Sequence, residues 1–256
     1  MLEPNTNMLV ALSLLGFQKL DALPIGVKKS GGQKIAVSGY SCLSEVLALG
    51  PGDYQEFLNE PCEAFSVKLA TIGADEELEA LLKTFSKTGF GFACVDGSTR
   101  HELAAFVGLR DLMSLYQKSL IKSDMSVGEV ASSPIISLSK DVTIKRALSE
   151  MVERGIRRVF ITGTETAVSD RSIINHIFSA AKLSEASDKS YDLLGATLED
   201  VEKVQPDAIS AEFDLKSGSE MMTRSSDNCL VCEKGIVTPW DLIVKPWEQG
   251  KLTISA

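Results

Sequence analysis

Histidine is nearly missing from this chain of 256 residues, which holds only His101 and His176. Neither lies near a serine or cysteine that could serve as a nucleophile, so no catalytic triad is read. Cysteine is sparse and odd in number (Cys42, Cys62, Cys94, Cys229 and Cys232). That is no disulfide framework for a chain this long, and it fits a reducing, cytoplasmic setting. Basic charge is in deficit, with 26 Lys and Arg against 35 Asp and Glu and a formal net charge of -9. Nucleic-acid polymers and anionic membranes need a basic face, so both are excluded as partners. A local basic cluster can still hold one small phosphate ligand. Long apolar runs are also lacking. The longest early one, Met8–Gly16, is too short to span a bilayer and has no basic residue before it. A glycine-rich phosphate loop is not found either.

What is present is material for packed cores, with 44% hydrophobic and 24% charged residues. It is arranged as a repeat, the first thing to look for in a chain of this length. Four short apolar runs read as buried strands: Ala22–Ile25, Phe92–Val95, Arg158–Ile161 and Asn228–Val231. Each leads through a polar or glycine-containing turn to a second run: Ile35–Val37, Ala105–Val107, Thr166–Val168 and Gly235–Val237. Each second strand meets a small residue (Ser38, Gly108, Ser169 or Thr238) and then a helix, with bodies at Cys42–Leu49, Leu112–Leu120, Ile173–Ala181 and Leu242–Trp247. Ile25 and Ile161 are 136 residues apart, and so are Val95 and Val231. The chain therefore reads as duplicated at two levels, with halves near 1–118 and 119–256.

Earlier pieces complete the unit. Pro134–Leu138 reads as a leading strand, and Ile144, Ala147, Leu148, Met151 and Val152 fall on one helical face, capped by Asp141 or Thr143. The second copy has a strand at Phe65–Ile72 and a helix at Glu76–Ser86, and the fourth has Ala208–Phe213 and Ser217–Thr223. The first copy shows no leading strand, because its helix begins near Thr6 or Asn7.

The order strand, helix, strand, strand, helix, with the ending Gly235-Ile236-Val237-Thr238-Pro239-Trp240-Asp241-Leu242, resembles the cystathionine beta-synthase (CBS) domain. The third copy carries the likeness most clearly, through Met125-Ser126-Val127-Gly128-Glu129-Val130, Val142–Leu148 and Met151–Arg158. Two such repeats form a Bateman module, and four are similar in layout to the gamma subunit of AMP-activated kinase. The resemblance implies an α/β (α+β) protein of two modules. One would span 1–118, with repeats at about 1–50 and 60–118; the other would span 119–256, with repeats at about 122–182 and 193–249.

The family cradles a ribose and its phosphate where the last strand meets the following helix. A carboxylate accepts both ribose hydroxyls, while the helix start offers free N–H groups and a positive dipole to phosphate. The pattern is glycine, two apolar residues, threonine or serine, two variable residues, then aspartate. The fourth copy meets it in full with Gly235, Ile236, Thr238, Pro239, Trp240 and Asp241. The second keeps Asp111 beside Val107 and Arg110 but has Gly108 where the hydroxyl belongs, giving a weaker second site. Ser41 and Ser172 replace the carboxylate in the first and third copies. The same fourth-copy residues are also a good helix start, with a Thr cap, Pro at the first position and an acid at the third. Capping and ribose binding both remain open there.

The resemblance also points to Arg157 and Arg158 as phosphate ligands, against a plain role in neutralising Glu150 and Glu153. Asp21 and Ala22 stand at the matching positions of the first copy. Val204, Pro206, Asp207 and Ala208, with Ile135, are the candidates for contact with adenine. Cys229-Leu230-Val231-Cys232 is a lone CxxC without the further ligands that zinc requires, and it reads as part of a buried strand. The expected protein is a non-catalytic sensor of AMP, ADP or ATP, or less strongly of another adenosyl compound. It needs no cofactor or metal, acts on an unknown target protein and could form a homodimer through its modules. The alternative is a scaffold with vestigial sites.

Overall fold

A computed structural model describes residues 1–255 except 19, 21, 27–34, 51, 97–102, 180, 181, 183–191 and 226. The chain is mixed α/β and forms two compact units. One comprises Met1–Leu69 and Ile136–Gln205, the other Ala70–Ile135 and Pro206–Ala256. Each unit holds one repeat from each half of the chain: the first and third in one, the second and fourth in the other.

In the first unit, Ser137–Leu138 runs parallel to Arg158–Ile161, which pairs antiparallel with Ala167–Ser169. The helix Ile144–Arg154 makes the crossover between the parallel strands. Its spacing buries Ile144, Ala147, Leu148 and Met151. Thr143, rather than Asp141, is its cap, accepting from Arg146 N at 3.3 Å. Gly155 ends it in the left-handed region at φ 64. In the first repeat, Ala22–Ile25 pairs with Ile35–Ser38, which pairs in turn with Val67–Lys68. This repeat keeps a remnant of the leading strand that the sequence did not show. Leu2 bridges parallel to Ile25, with Leu2 N donating to Pro24 O and Gly26 N to Leu2 O. The helix Met8–Phe17 contributes Met8, Ala11, Leu12 and Leu15 to a core shared with Leu43, Val46, Leu148, Ile173 and Ile177.

The second unit repeats the plan. Thr71–Gly73 runs parallel to Phe92–Asp96, itself antiparallel to Leu103–Gly108. Asp207–Ala208 runs parallel to Leu230–Cys232, which pairs antiparallel with Gly235–Val237. The crossover helices are Leu78–Thr88 and Leu215–Arg224, the latter capped by Asp214, which accepts from Ser217 N at 2.7 Å. The core gathers Leu82, Phe85, Met113, Tyr116, Leu215, Met222, Leu242 and Ile243. Within it the Tyr116 hydroxyl donates to Leu242 O at 2.9 Å, and burial pushes its pKa up.

Several expected strands are shorter. Phe65–Ile72 is not one strand: Cys62–Phe65 is a 3-10 turn, Val67–Lys68 joins the first repeat's sheet, and Thr71–Gly73 joins the second's. Ala208–Phe213 reduces to Asp207–Ala208, and Pro134–Leu138 to Ser137–Leu138, because the parallel partner offers only a short edge. The four small residues Ser38, Gly108, Ser169 and Thr238 each cap a helix. These helices start earlier than the apolar pattern alone indicated, at Gly39, Leu109, Asp170 and Pro239.

Glu150 is 6% exposed on the core helix of the third repeat. It pairs with Arg154, whose Nε lies at 2.6 Å, and with Arg146. The hydrogen bond from Arg154 holds its carboxyl below the usual range, with Arg146 adding to the effect and desolvation opposing it. A lowered folded pKa stabilises fully above the unfolded pKa, and that stability is lost as pH falls through the folded value. Glu150→Gln should therefore lower the urea midpoint at neutral pH, and the gap to wild type should close below about pH 4. Urea titrations at both pH values check this; a gap that persists in acid would rule out the ion pairs as its source.

Candidate functional site

The turn of the fourth repeat is built from a strand ending and a helix beginning. Gly235–Val237 delivers Thr238 in extended conformation, Pro239 starts the helix, and Asp241 falls at its third position. There the Asp241 carboxylate folds back onto the cap. Oδ2 accepts from Thr238 N at 2.8 Å and from Thr238 Oγ1 at 2.7 Å. Oδ1 accepts from Ser132 Oγ at 2.7 Å and from Lys245 Nζ at 3.1 Å. Lys245 also donates to Val130 O at 2.7 Å and to Ser132 Oγ at 3.1 Å. The Asp241 side chain is 5% exposed and that of Lys245 31%.

Ser132 reaches this site because the connector 126–135 lies along the last strand. Ser132 and Ile236 exchange backbone hydrogen bonds of 2.8 and 3.0 Å. Gly235 permits this closeness. A Cβ there would lie 2.3 Å from Ser132 O, and its φ of 152 is one that L side chains rarely adopt. Ile236, Pro239 and Trp240 are half-buried around the turn.

The second repeat places its carboxylate in the same relation to the cap, in different surroundings. Asp111 Oδ2 accepts from Gly108 N at 2.8 Å. Asp111 is exposed, and it takes no other hydrogen bond among the described residues. Val107 precedes it half-buried, and the exposed Arg110 donates from Nη2 to Thr223 O at 3.0 Å. The carboxylate that meets the full sequence pattern is thus enclosed, and the one in the weaker match is accessible.

In the third repeat Ser169 and Ser172 hydrogen-bond to each other at 3.0 Å, and both are buried. Beside Ser172 opens a cavity of about 460 Å³, which His176, Val201 and Lys203 also line. Arg157 lies just before the strand, and its Nε meets Asp170 Oδ2 at 2.8 Å. Asp170, the acid that Arg157 meets, is 2% exposed. Arg158 opens the strand opposite Ser169 and is half-buried. In the first repeat Ser38 is buried at its cap. Asp21, His101 and the Ser41 side chain lie outside the described residues.

The residues expected beside adenine differ in surroundings. Val204 exchanges backbone hydrogen bonds of 2.8 and 2.9 Å with Ala167. Pro206 is buried, Asp207 and Ala208 are exposed, and Ile135 is half-buried. Val204, Arg157 and Arg158 belong to the first compact unit; Ile135, Pro206, Asp207, Ala208 and Asp241 belong to the second. Lys245 was legible as a cation four residues past an acid on one helix face. Ser132 was not, because 109 residues separate it from Asp241.

All five cysteines are buried and outside any disulfide, including both of the CxxC. Among the described residues, no group of three or more His, Cys, Asp or Glu is placed to hold a metal ion. No helix among them is long and apolar enough to cross a membrane.

Residues 127–177, the third repeat with the turn that precedes it, match the family model of the CBS domain. No curated protein matches the chain. Among solved structures, the chain is similar to a protein of Methanocaldococcus jannaschii described as a candidate archaeal homologue of the AMPK γ subunit. The TM-score is 0.80 at 17% identity, over 96% of this chain and 95% of that one. It is also similar to an uncharacterized conserved protein of Pyrococcus horikoshii, with a TM-score of 0.55 at 10% identity over 87% and 89% of the two chains.

Proposed function

We propose that this chain, which carries a CBS domain at 127–177 and has the fold of tandem CBS-domain proteins, is a regulatory protein that binds an adenine nucleotide and catalyses nothing. One observation carries the reading. In two of four recurring strand-to-helix turns, an aspartate sits at the third helical position, held by the backbone N–H of the cap: Asp111 on Gly108 and Asp241 on Thr238, both at 2.8 Å. A carboxylate fixed at a helix N-terminus offers acceptors to vicinal hydroxyls and lies beside N–H groups suited to phosphate. A ribose phosphate unites those two chemistries. The described homology of the Methanocaldococcus jannaschii neighbour to a kinase regulatory subunit agrees with a sensor.

In this reading the functional pairs are the sequence halves 1–118 and 119–256, each a Bateman module. AMP, ADP or ATP is the ligand, with Thr238 and Asp241 serving it at the fourth repeat, Gly108 and Asp111 at the second, and Arg157 and Arg158 offering guanidinium groups at the third. Val204, Pro206, Asp207, Ala208 and Ile135 lie on the adenine side. Binding shifts the arrangement of repeats by its differential affinity for two states, and a target protein reads the shift. Five buried cysteines outside any disulfide suit a cytoplasmic setting, and self-association through the modules accompanies this reading.

A second reading has its own support. Both oxygens of Asp241 are taken by the protein itself, and serines stand for the carboxylate at Ser41 and Ser172. A scaffold acting through protein contacts would keep that arrangement. Thermal unfolding separates the two. At nucleotide concentrations a hundredfold above Kd, a binder gains about 2.7 kcal/mol, and its Tm rises accordingly. The expected result is a rise in Tm with at least one of AMP, ADP and ATP, reduced in Asp111→Asn or Asp241→Asn. A Tm indifferent to all three selects the scaffold.

A further inference from the structure

The carboxylate of Asp241 has about four lone-pair directions, and four donors occupy them. Two come from Thr238, within the same turn. The other two, Ser132 Oγ and Lys245 Nζ, meet at Oδ1 and also bond each other, closing a triangle with 2.7, 3.1 and 3.1 Å sides. Lys245 has three N–H donors and places them on Asp241, Ser132 and Val130 O. No acceptor of this carboxylate is left over for a ligand, so any hydroxyl that bonds it must exchange with a donor already there.

The donors differ in how readily they leave. Those of Thr238 are fixed by the helix start, three residues from Asp241. Ser132 belongs to the connector 126–135, whose first part is anchored by Val127 N to Phe213 O and Gly128 N to Ala211 O, whereas Ser132 itself is held to the last strand by one exchanged pair of backbone hydrogen bonds with Ile236. The same connector continues directly into Ile136 and the leading strand Ser137–Leu138 of the third repeat.

We propose that Ser132, Lys245 and Asp241 form a latch in which the connector hydroxyl occupies the place of a ligand hydroxyl, so that ligand binding at the fourth repeat releases the connector. This rests on the nucleotide reading above and names the regulation of that site. Ribose and Ser132 compete for Oδ1, and occupancy is reported along the chain as loosening of 128–135. Lys245 stays on Oδ1 and keeps the carboxylate compensated during the exchange. Among the described residues Asp111, exposed, is bonded only through Oδ2 to Gly108 N, with no such latch, and binds without releasing anything. The two carboxylates therefore differ in kind, one direct and one gated.

The test is titration of the intact chain with AMP, for wild type, Ser132→Ala and Ser132→Thr, together with amide hydrogen exchange of 128–135 with and without AMP. All three are titrated twice, with Asp111 kept and with Asp111→Asn in the background, and the second set reads the gated site alone. Loss of one hydrogen bond to a charged group corresponds to about tenfold in affinity. The latch predicts that Ser132→Ala binds AMP about tenfold tighter, that Ser132→Thr returns to the wild-type value, and that AMP speeds exchange at 128–135 in wild type. Tight binding by Ser132→Ala with none detected in wild type also supports it. Equal AMP affinity in wild type and Ser132→Ala overturns the latch while the nucleotide reading stands. Absence of binding in every variant, including chains that keep Asp111, overturns both.

Discussion

Asp241→Ala is expected to lower stability by about 3 kcal/mol and Tm by about 8 °C. The change removes the acceptor for four hydrogen bonds at once: two from Thr238, one from Ser132 and one from Lys245. Breaking a buried ion pair by deleting one partner costs about 3–5 kcal/mol, and the lower end applies because Lys245 is 31% exposed and can regain water. The lost helix cap contributes about 1 kcal/mol of the total. Asp111→Ala supplies the contrast. That carboxylate is exposed and accepts one hydrogen bond, so its removal should cost no more than about 1 kcal/mol. Thermal melts of both variants decide the matter. If the two lose the same stability, Asp241 does not tie the connector to the fourth repeat as described.

Gly235→Ala is expected to cost about as much, near 3 kcal/mol, through an independent route. The added methyl would lie 2.3 Å from Ser132 O and 3.0 Å from Ser132 C, both backbone atoms that no rotamer change can move. Relief requires the connector to retreat, and that breaks both backbone bonds with Ile236 and the Ser132 bond to Asp241. The conformation at φ 152 adds its own strain. Gly163 is the control: φ is 79, but a Cβ would meet nothing within 4 Å. Gly163→Ala should therefore show only the backbone cost, about 1 kcal/mol. Equal Tm losses in the two variants would mean that the connector yields freely and that the close approach is not a constraint. Gly235→Ala should also raise AMP affinity if the latch operates, because it pushes Ser132 away.

The elements most legible in the sequence were those with a local cause. Apolar runs such as Arg158–Ile161 and Gly235–Val237 specify strands through continuous burial, and the small residue after each second strand marks the helix start. The amphipathic spacing of Ile144, Ala147, Leu148 and Met151 likewise fixed a helix face without any tertiary information. Segments whose form depends on a distant partner were less legible. Residues 65–72 look like one strand, yet they divide at Leu69 between the sheets of two repeats. Leu2 pairs with Ile25 although no apolar run announces a strand there. The short helix Tyr54–Asn59 lies between repeats and has too few residues for periodicity to show.

The candidate site divides along the same line. The Thr238–Asp241 spacing is a local signal, and the folded chain does place the carboxylate on its cap. What surrounds that carboxylate is tertiary. Ser132 approaches Asp241 from 109 residues away, and Asp241 is buried where Asp111 is exposed. The partner of Arg157 belongs to the same class. Asp170 becomes its counter-ion because the hairpin brings the start of the helix back beside the strand.

The most direct test of the central claim is isothermal titration of the intact wild-type chain with AMP, ADP and ATP. A nucleotide sensor gives saturable heat with at least one of them, at micromolar affinity and without turnover of the nucleotide. No heat from any of the three, with a well-folded chain in the cell, would contradict it and leave the turn geometry to helix capping alone.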